Sequence, residues 1–353
     1  MDNLQAARAI EEAQPRAAAR LRGMLAANTL PHALLFSGPE GAGKELAAVG
    51  LAARLQSAEP AGNGVFDEPG SRRVGALEHP DVHLLFPVPY GDLSNTVPVV
   101  VESRREDLFN EGEFGGRARS IGIEQIRRVI GAVSRAPFEG RRSVVILFEA
   151  HLATVEAQNA FLKLLEEPPG DTVLVMTTAR TERLLPTIIS RCQELRFDPV
   201  PAGAIARFLE TFRSVEPGEA ARIAALADGN LRRGLHLLDE RHLAVHRDAA
   251  GILRLVIEGK AKALIGEAEG AAREYTRDEA RELLGEMAGM ARLLMRGRPD
   301  VLPAGLDVAA GAADRDWPAD LRRLEAAVRA IDGNADLELT LSQVFLDLAG
   351  KWY

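Results

Sequence analysis

The sequence predicts an α/β domain built on a mostly parallel sheet, followed by an all-α region. Three observations carry this. Short apolar runs alternate with amphipathic helical stretches as far as residue 198. A glycine-rich turn at 37–44 sits between the first of those runs and the next helix, the context a phosphate-binding loop requires. After Pro199 no convincing strand pattern remains, and the chain reads as helices to its end.

The elements follow in order. Residues 5–29 are Ala-rich with Arg and Glu on the polar side, and read as helix. Pro31 and His32 follow, and ALLF (33–36) is a short buried strand. Residues 45–56 resume a helical Ala/Leu pattern, and 57–78, rich in Gly, Pro and charge, reads as loop. VHLLF (82–86) is a second strand. Residues 87–121 read as an insertion, with an edge strand on the apolar run at 97–101. Ile123, Ile126, Ile130 and Val133 recur at helical spacing, which predicts a helix over 122–135.

SVVILF (143–148) is continuously apolar, as expected of a central parallel strand. The next helix, 155–167, has Ala157, Ala160, Phe161, Leu164 and Leu165 as its apolar stripe. Thr154 caps it and Pro168-Pro169 ends it. VLVMT (173–177) is a strand, 182–190 a short helix, and ELRF (194–197) a last strand. Two or three short helices occupy 201–241, a break near 242–250 separates them from longer ones, and a Gly/Pro-rich loop interrupts these at 296–318. The expected domains are 1–198, with 57–121 as a variable insert, then 199–242, then 243–353.

Bulk properties narrow the function classes. The 353 residues are 46% apolar, 27% charged and 5% aromatic, an ordinary globular composition. A net charge of −8 argues against a free-standing nucleic-acid binder. Cys192 is the single cysteine, so a disulfide within the chain and a multi-cysteine metal site are both excluded. The N-terminal stretch carries charges throughout, unlike a signal peptide, and no run reaches the roughly 18 apolar residues of a membrane span. A cytoplasmic protein with no membrane partner is the expectation.

The chemistry concentrates in three places. Residues 38–44 match GxxxxGK: Gly38, Gly41 and Gly43 let backbone N–H groups turn toward phosphate oxygens, and Lys44 reaches the outer phosphates. The next position normally holds a Ser or Thr whose hydroxyl ligates Mg²⁺. Here it is Glu45, which either ligates magnesium itself or repels the phosphates. Two like charges about 4 Å apart cost on the order of 4 kcal/mol at an effective dielectric near 20. The second place is the end of the 143–148 strand. A working site reads Asp-Glu there, one carboxylate holding the metal and the other polarising the attacking water; this chain has Phe148 and Glu149. Glu149 is either a catalytic base or a polar strand terminus, and His151 is a surface or packing histidine. With both magnesium positions altered, hydrolysis is lost while the scaffold stays. The third place is Ser190-Arg191-Cys192, whose guanidinium can project into a neighbouring subunit's nucleotide site as an arginine finger, with Cys192 as a small hydrophobe.

LPHALLFSGPEGAGKE, HPDVHLL (79–85), IEQIRRV (123–129), NAFLKLLEEPPGDTVLVMTTA (159–179), RLLPTIISRC (183–192) and GNLRRGL (229–235) follow one another in an order that resembles bacterial clamp loaders of the AAA+ class. NADLELTLSQVFLDL (334–348) is similar to the end of that family's collar domain. The degenerate loop and strand end are similar to the delta-prime type within the family rather than to the gamma/tau motor. The resemblance implies a RecA-like AAA+ P-loop domain, a small helical lid and a C-terminal helical collar. It also implies gamma/tau and delta subunits as partners, the beta sliding clamp and primer-template DNA as targets of the assembled ring, and Arg191 acting in trans. No cofactor is required on this reading: ATP or ADP binds weakly and is not hydrolysed. The four-cysteine zinc module usual in these subunits has no counterpart, so no zinc and no other metal is expected. Arg127 and Arg128 are either DNA phosphate contacts or a solvated helix face. Two rival readings are an active AAA+ motor using Glu45 and Glu149, and an AAA+ adaptor outside replication.

Overall fold

The structure is a computed structural model that describes residues 2–58, 69–89, 100–102, 104–105, 108, 119–297, 302, 315–333 and 335–350. It divides into two compact units. The first holds the chain as far as Pro217 together with 229–232, and the second holds 218–228 and the chain from Arg233 onward.

Among the described residues the first unit has seven strands: β1 (Ala33–Ser37), β2 (Val82–Leu85), β3 (Val88–Pro89), β4 (Arg119–Ser120), β5 (Ser143–Leu147), β6 (Thr172–Thr178) and β7 (Gln193–Arg196). Five form a parallel sheet in the order β2-β5-β6-β1-β7. β1, β5 and β6 are buried along their whole length, which explains why they read as unbroken apolar runs. Register then fixes the site. Ser37 pairs with Thr178 and Leu147 with Met176, so the residues leaving β1, β5 and β6 emerge side by side at the carboxyl edge of the sheet. Ligands of open parallel sheets bind at that edge.

The helix expected over 5–29 is two helices, α1 (Asn3–Ala13) and α2 (Pro15–Ala26). Pro15 has no N–H to donate to the preceding turn and opens α2 at its first position, so the chain breaks at Gln14. α3 (Lys44–Gln56) is buried at every position except Arg54, and its small residues let it lie close against its neighbours. The region read as loop at 57–78 contains α4 (Pro69–Gly75), held by Ser71 Oγ donating to Ala53 O at 3.0 Å. Val100 and Val101, expected in an edge strand, are helical, and 97–99 lie outside the described residues. At the base of the insertion β3 and β4 pair antiparallel.

α5 (Ile123–Val133) and α6 (Val155–Glu166) cover one sheet face, packing Ile126, Val133, Phe161 and Leu165 onto Leu35, Leu147 and Leu174. Thr154 Oγ1 caps α6 by accepting from Ala157 N at 3.2 Å. The stretch at 182–190 resolves into a 3₁₀ turn (Thr181–Arg183) and α7 (Pro186–Ile189). α8 (Ala202–Arg213) belongs to this unit.

The remaining helices are α9 (Pro217–Ala227), α10 (Leu231–His236), α11 (Glu240–Ile257), α12 (Ala261–Glu274), α13 (Arg277–Met295), α14 (Trp317–Asp332) and α15 (Leu337–Ala349). In the second unit α11 packs on α13, α13 on α14, and α12 on α15. Among the described residues after 199 there is no strand. The break expected at 242–250, on which the 242/243 boundary rested, does not occur: α11 runs through it, with Val245, His246, Ala249 and Ala250 buried. Trp317 and Pro318, assigned to the 296–318 loop, open α14.

Candidate functional site

The phosphate loop is hemmed in on three sides, and its glycines answer to that crowding. Gly43 has φ 83°, and a Cβ there would meet the Ile10 side chain of α1 at 2.6 Å. Gly41 has φ 67°, and a Cβ there would overlap Asn230. Leu231 N donates to Gly41 O at 2.9 Å, so the segment 229–232 is tied to the loop. The Gln14 side chain, freed by the break before Pro15, donates to Ala42 O at 3.1 Å and Asp198 O at 2.6 Å and accepts from Asp198 N at 3.1 Å.

Lys44 is 1% exposed and turns back on its own loop, donating to Gly38 O at 2.9 Å and Pro39 O at 2.6 Å. Burial draws its ammonium below the usual lysine range; neighbouring Glu45 opposes this and Arg232 adds to it. Glu45 is also buried, in the first turn of α3. A carboxylate is stabilised at a helix N-terminus by the same partial positive charge that attracts a phosphate.

At the end of β5, Phe148 is 0% exposed and stacks on Phe86, with centroids 4.4 Å apart and planes 2° apart. Arg104 lies over the other partner of that stack, 4.4 Å from the Phe86 centroid. The first metal-ligand position is therefore part of an apolar core, and it offers an ion no oxygen. Glu149 takes a left-handed backbone conformation (φ 49°, ψ 49°), strained for a non-glycine, and its N–H donates to Thr177 Oγ1 at 3.0 Å. His151 is a packing histidine: it is buried, burial lowers its pKa, and Nδ1 lies 3.3 Å from Thr178 Oγ1.

One participant was not singled out from the sequence. Arg232, from the 229–235 segment, lies with its Nη1 3.6 Å from Glu149 Oε1, and both side chains are largely buried. It also bears electrostatically on Lys44. The signal is present as two adjacent arginines in GNLRRGL, but only their contacts distinguish them, Arg232 lying beside Glu149 and Arg233 on Glu286.

Lys44, Glu45, Glu149 and Arg232 thus form one buried charge cluster around the loop, while Arg191 stands apart from it. Its side chain is 37% exposed, with Nη1 donating to Thr187 O at 3.0 Å and Nη2 to Glu166 Oε1 at 2.6 Å. Glu166 is itself half exposed, so this ion pair is open to solvent and to competition. Burial pushes the Cys192 thiol up to about 12, which suits a packing residue and not a nucleophile. Arg127 and Arg128 lie exposed on α5, Arg127 bonded to Glu124 at 2.6 Å. Among the described residues no helix is long and apolar enough to cross a membrane.

Relatives are identifiable by sequence. The chain is 35% identical over 202 residues to the DNA polymerase III subunit delta' of Pseudomonas aeruginosa, covering 56% of this chain and 53% of the relative. It is 31% identical over 229 residues to the delta' subunit of Bacillus subtilis, covering 65% and 60%. The Bacillus subtilis subunit tau is 30% identical over 225 residues, 62% of this chain and 35% of tau. The matched part thus spans only about half to three-fifths of the delta' relatives' own length. A crystal structure of a DNA polymerase III gamma subunit-related protein from Thermotoga maritima is 18% identical, with a TM-score of 0.47 over 93% of this chain and 98% of that one. The profile of the family described as DNA polymerase III, delta subunit, matches residues 13–201, more than half of the 353. That span contains the glycine-rich loop, the altered end of β5 and the edge at 190–192; the chain belongs to the DNA polymerase III, delta subunit, family.

Proposed function

We propose that this chain is a non-hydrolysing, stator-like subunit of a clamp-loader ring, offering Arg191 in trans to the ATP held by a neighbouring gamma/tau motor subunit. The observation that carries this reading is the contrast between two sites. The chain's own metal positions hold Glu45 at the first turn of α3 and Phe148 inside an aromatic stack. Arg191, in contrast, stands on the surface with a solvent-open partner. Mg²⁺ does not fit here: one ligand position is an apolar ring, and the loop lysine spends its hydrogen bonds on Gly38 O and Pro39 O. Nucleotide binding in this loop is accordingly weak, and no hydrolytic step runs through it.

A guanidinium presented to a neighbour's transferred phosphoryl group offsets the charge that develops there. Glu166 holds Arg191 extended until that stronger anion is offered. Charge-assisted pairing with Glu166 at the surface is worth little, so its exchange for a phosphoryl oxygen costs little. The relatives named delta', tau and gamma/tau support clamp-loader subunits as the partners. In the assembled ring the beta clamp and primer-template DNA are the targets, and Arg127 and Arg128 on α5 supply phosphate contacts.

The first test is phosphate release from Mg²⁺–ATP by the purified chain, with and without primed DNA and clamp. No turnover above buffer is expected. Hydrolysis that disappears in Lys44→Ala would falsify the stator reading in favour of an active motor. Tagged protein that captures neither gamma/tau nor delta from its own cells would count against the clamp-loader reading itself.

A further inference from the structure

Within the second unit, the end of α10 together with α11 and α13 brings two imidazoles and a carboxylate together. His236 closes α10, His242 stands in the first turn of α11, and Glu282 lies on α13. The two rings stack with centroids 4.4 Å apart and planes 11° apart. His242 Nδ1 lies 2.5 Å from Glu282 Oε1. One donor atom from each residue falls within 4.8 Å of the others, and all three residues are half-buried.

We propose that His236, His242 and Glu282 bind a zinc ion that staples α10, α11 and α13. A neutral imidazole carries an in-plane nitrogen lone pair for a metal, so each ring can supply one donor. Zinc takes imidazole nitrogen and carboxylate oxygen at about 2.0–2.2 Å in a tetrahedron, which puts donor atoms roughly 3.4 Å apart. Binding the ion therefore requires the two rings to turn out of their stack and His242 Nδ1 to part from Glu282 Oε1. The carboxylate neutralises half of the ion's charge, and the half-exposed position leaves the fourth site to water.

A second set of contacts holds these same helices in register. Arg233 of α10, three residues before His236, forks onto Glu286 of α13, with Nε–Oε1 and Nη2–Oε2 both 2.7 Å. His246 of α11 completes the set, Nδ1 lying 2.6 Å from Glu286 Oε2. His242 and His246 are one helical turn apart, as are Glu282 and Glu286, so the buried set below fixes the spacing of the donors above. The single cysteine excludes a four-cysteine module, but that count does not bear on an imidazole–carboxylate set.

The test uses the full chain, stripped with chelator, dialysed and titrated separately with Zn²⁺ and Co²⁺. The expected results are one zinc per chain by elemental analysis and an intense visible cobalt spectrum of a four-coordinate site. Zinc at about 100 times its Kd should raise the melting midpoint by roughly 5 °C. His236→Gln and Glu282→Gln, checked for folding by circular dichroism, should weaken zinc binding by well over ~10-fold, the loss that even an outer-sphere change produces. Failure of the unaltered chain to take up zinc overturns the proposal, whatever the variants do. Retention of full affinity and stoichiometry by both folded variants overturns it equally.

Discussion

Replacing Phe148 with Asp restores the residue type of a working metal site and should nonetheless fail to restore one. Phe148 is fully buried against Phe86, so the substitution removes an aromatic side chain from a packed interior. Large-to-small changes of this kind cost about 3–5 kcal/mol, and the lost ring stack adds about 1 kcal/mol. The new carboxylate must then ionise in apolar surroundings or stay protonated, and neither state is favourable. A loss of at least about 4 kcal/mol follows. At a urea dependence of about 2 kcal/mol per molar, the midpoint of the sheet unit falls by about 2 M. Far-UV circular dichroism with limited proteolysis is the suitable assay, because Trp317 belongs to the second unit and the other tryptophan, Trp352, lies outside the described residues. A Phe148→Asp protein as stable as its parent that hydrolyses ATP with magnesium would refute the reasoning: position 148 would then be an open ligand seat.

Other outcomes follow from the same structure. Asp81 accepts N–H bonds from Phe138 at 2.5 Å, Glu139 at 3.0 Å and Gly140 at 2.6 Å; burial alone would raise its pKa, but these bonds and His79 bring it below the usual range. Its contribution is therefore complete above about pH 4 and is lost as pH falls through the depressed folded pKa, so Asp81→Ala should cost about 2–3 kcal/mol at pH 7 and much less in strong acid, read by urea titration at each pH. Glu286→Ala leaves Arg233 buried without its carboxylate, and the second unit should lose about 3–5 kcal/mol, seen as an early thermal transition by tryptophan fluorescence. Cys192 should alkylate at least ~100-fold more slowly at pH 8 than free cysteine, because its thiol is pushed up to about 12; rapid labelling of folded protein would contradict the packing role.

Much of the fold is legible in residue patterns because buried parallel strands have to be apolar throughout. The runs at 33–36, 143–148 and 173–177 correspond to β1, β5 and β6 within a residue or two. The errors have specific causes. Pro15 was read through because Ala-rich sequence continues on both sides, although proline at a first helical position is itself a boundary signal. The break expected near 242–250 is absent because α11 is amphipathic there, burying Val245, His246 and Ala249. In the candidate site, the loop glycines and Lys44 were readable from spacing alone. That Phe148 is core and that Arg232 meets Glu149 was not, since both depend on contacts between segments far apart in the chain.

The proposed stator role requires Arg191 to reach the active site of a neighbouring subunit. The direct measurement is single-turnover ATP hydrolysis by reconstituted gamma/tau–delta rings containing either the parent chain, Arg191→Ala or Lys44→Ala. The Glu166 ion pair is half exposed, so Arg191→Ala should leave folding within about 1 kcal/mol of the parent. The prediction is that Arg191→Ala slows the one adjoining site by ~10³-fold, the lower range for an arginine finger, while Lys44→Ala leaves every phase unchanged. Rings that hydrolyse at the parental rate with Arg191→Ala, or that lose a phase with Lys44→Ala, would contradict it.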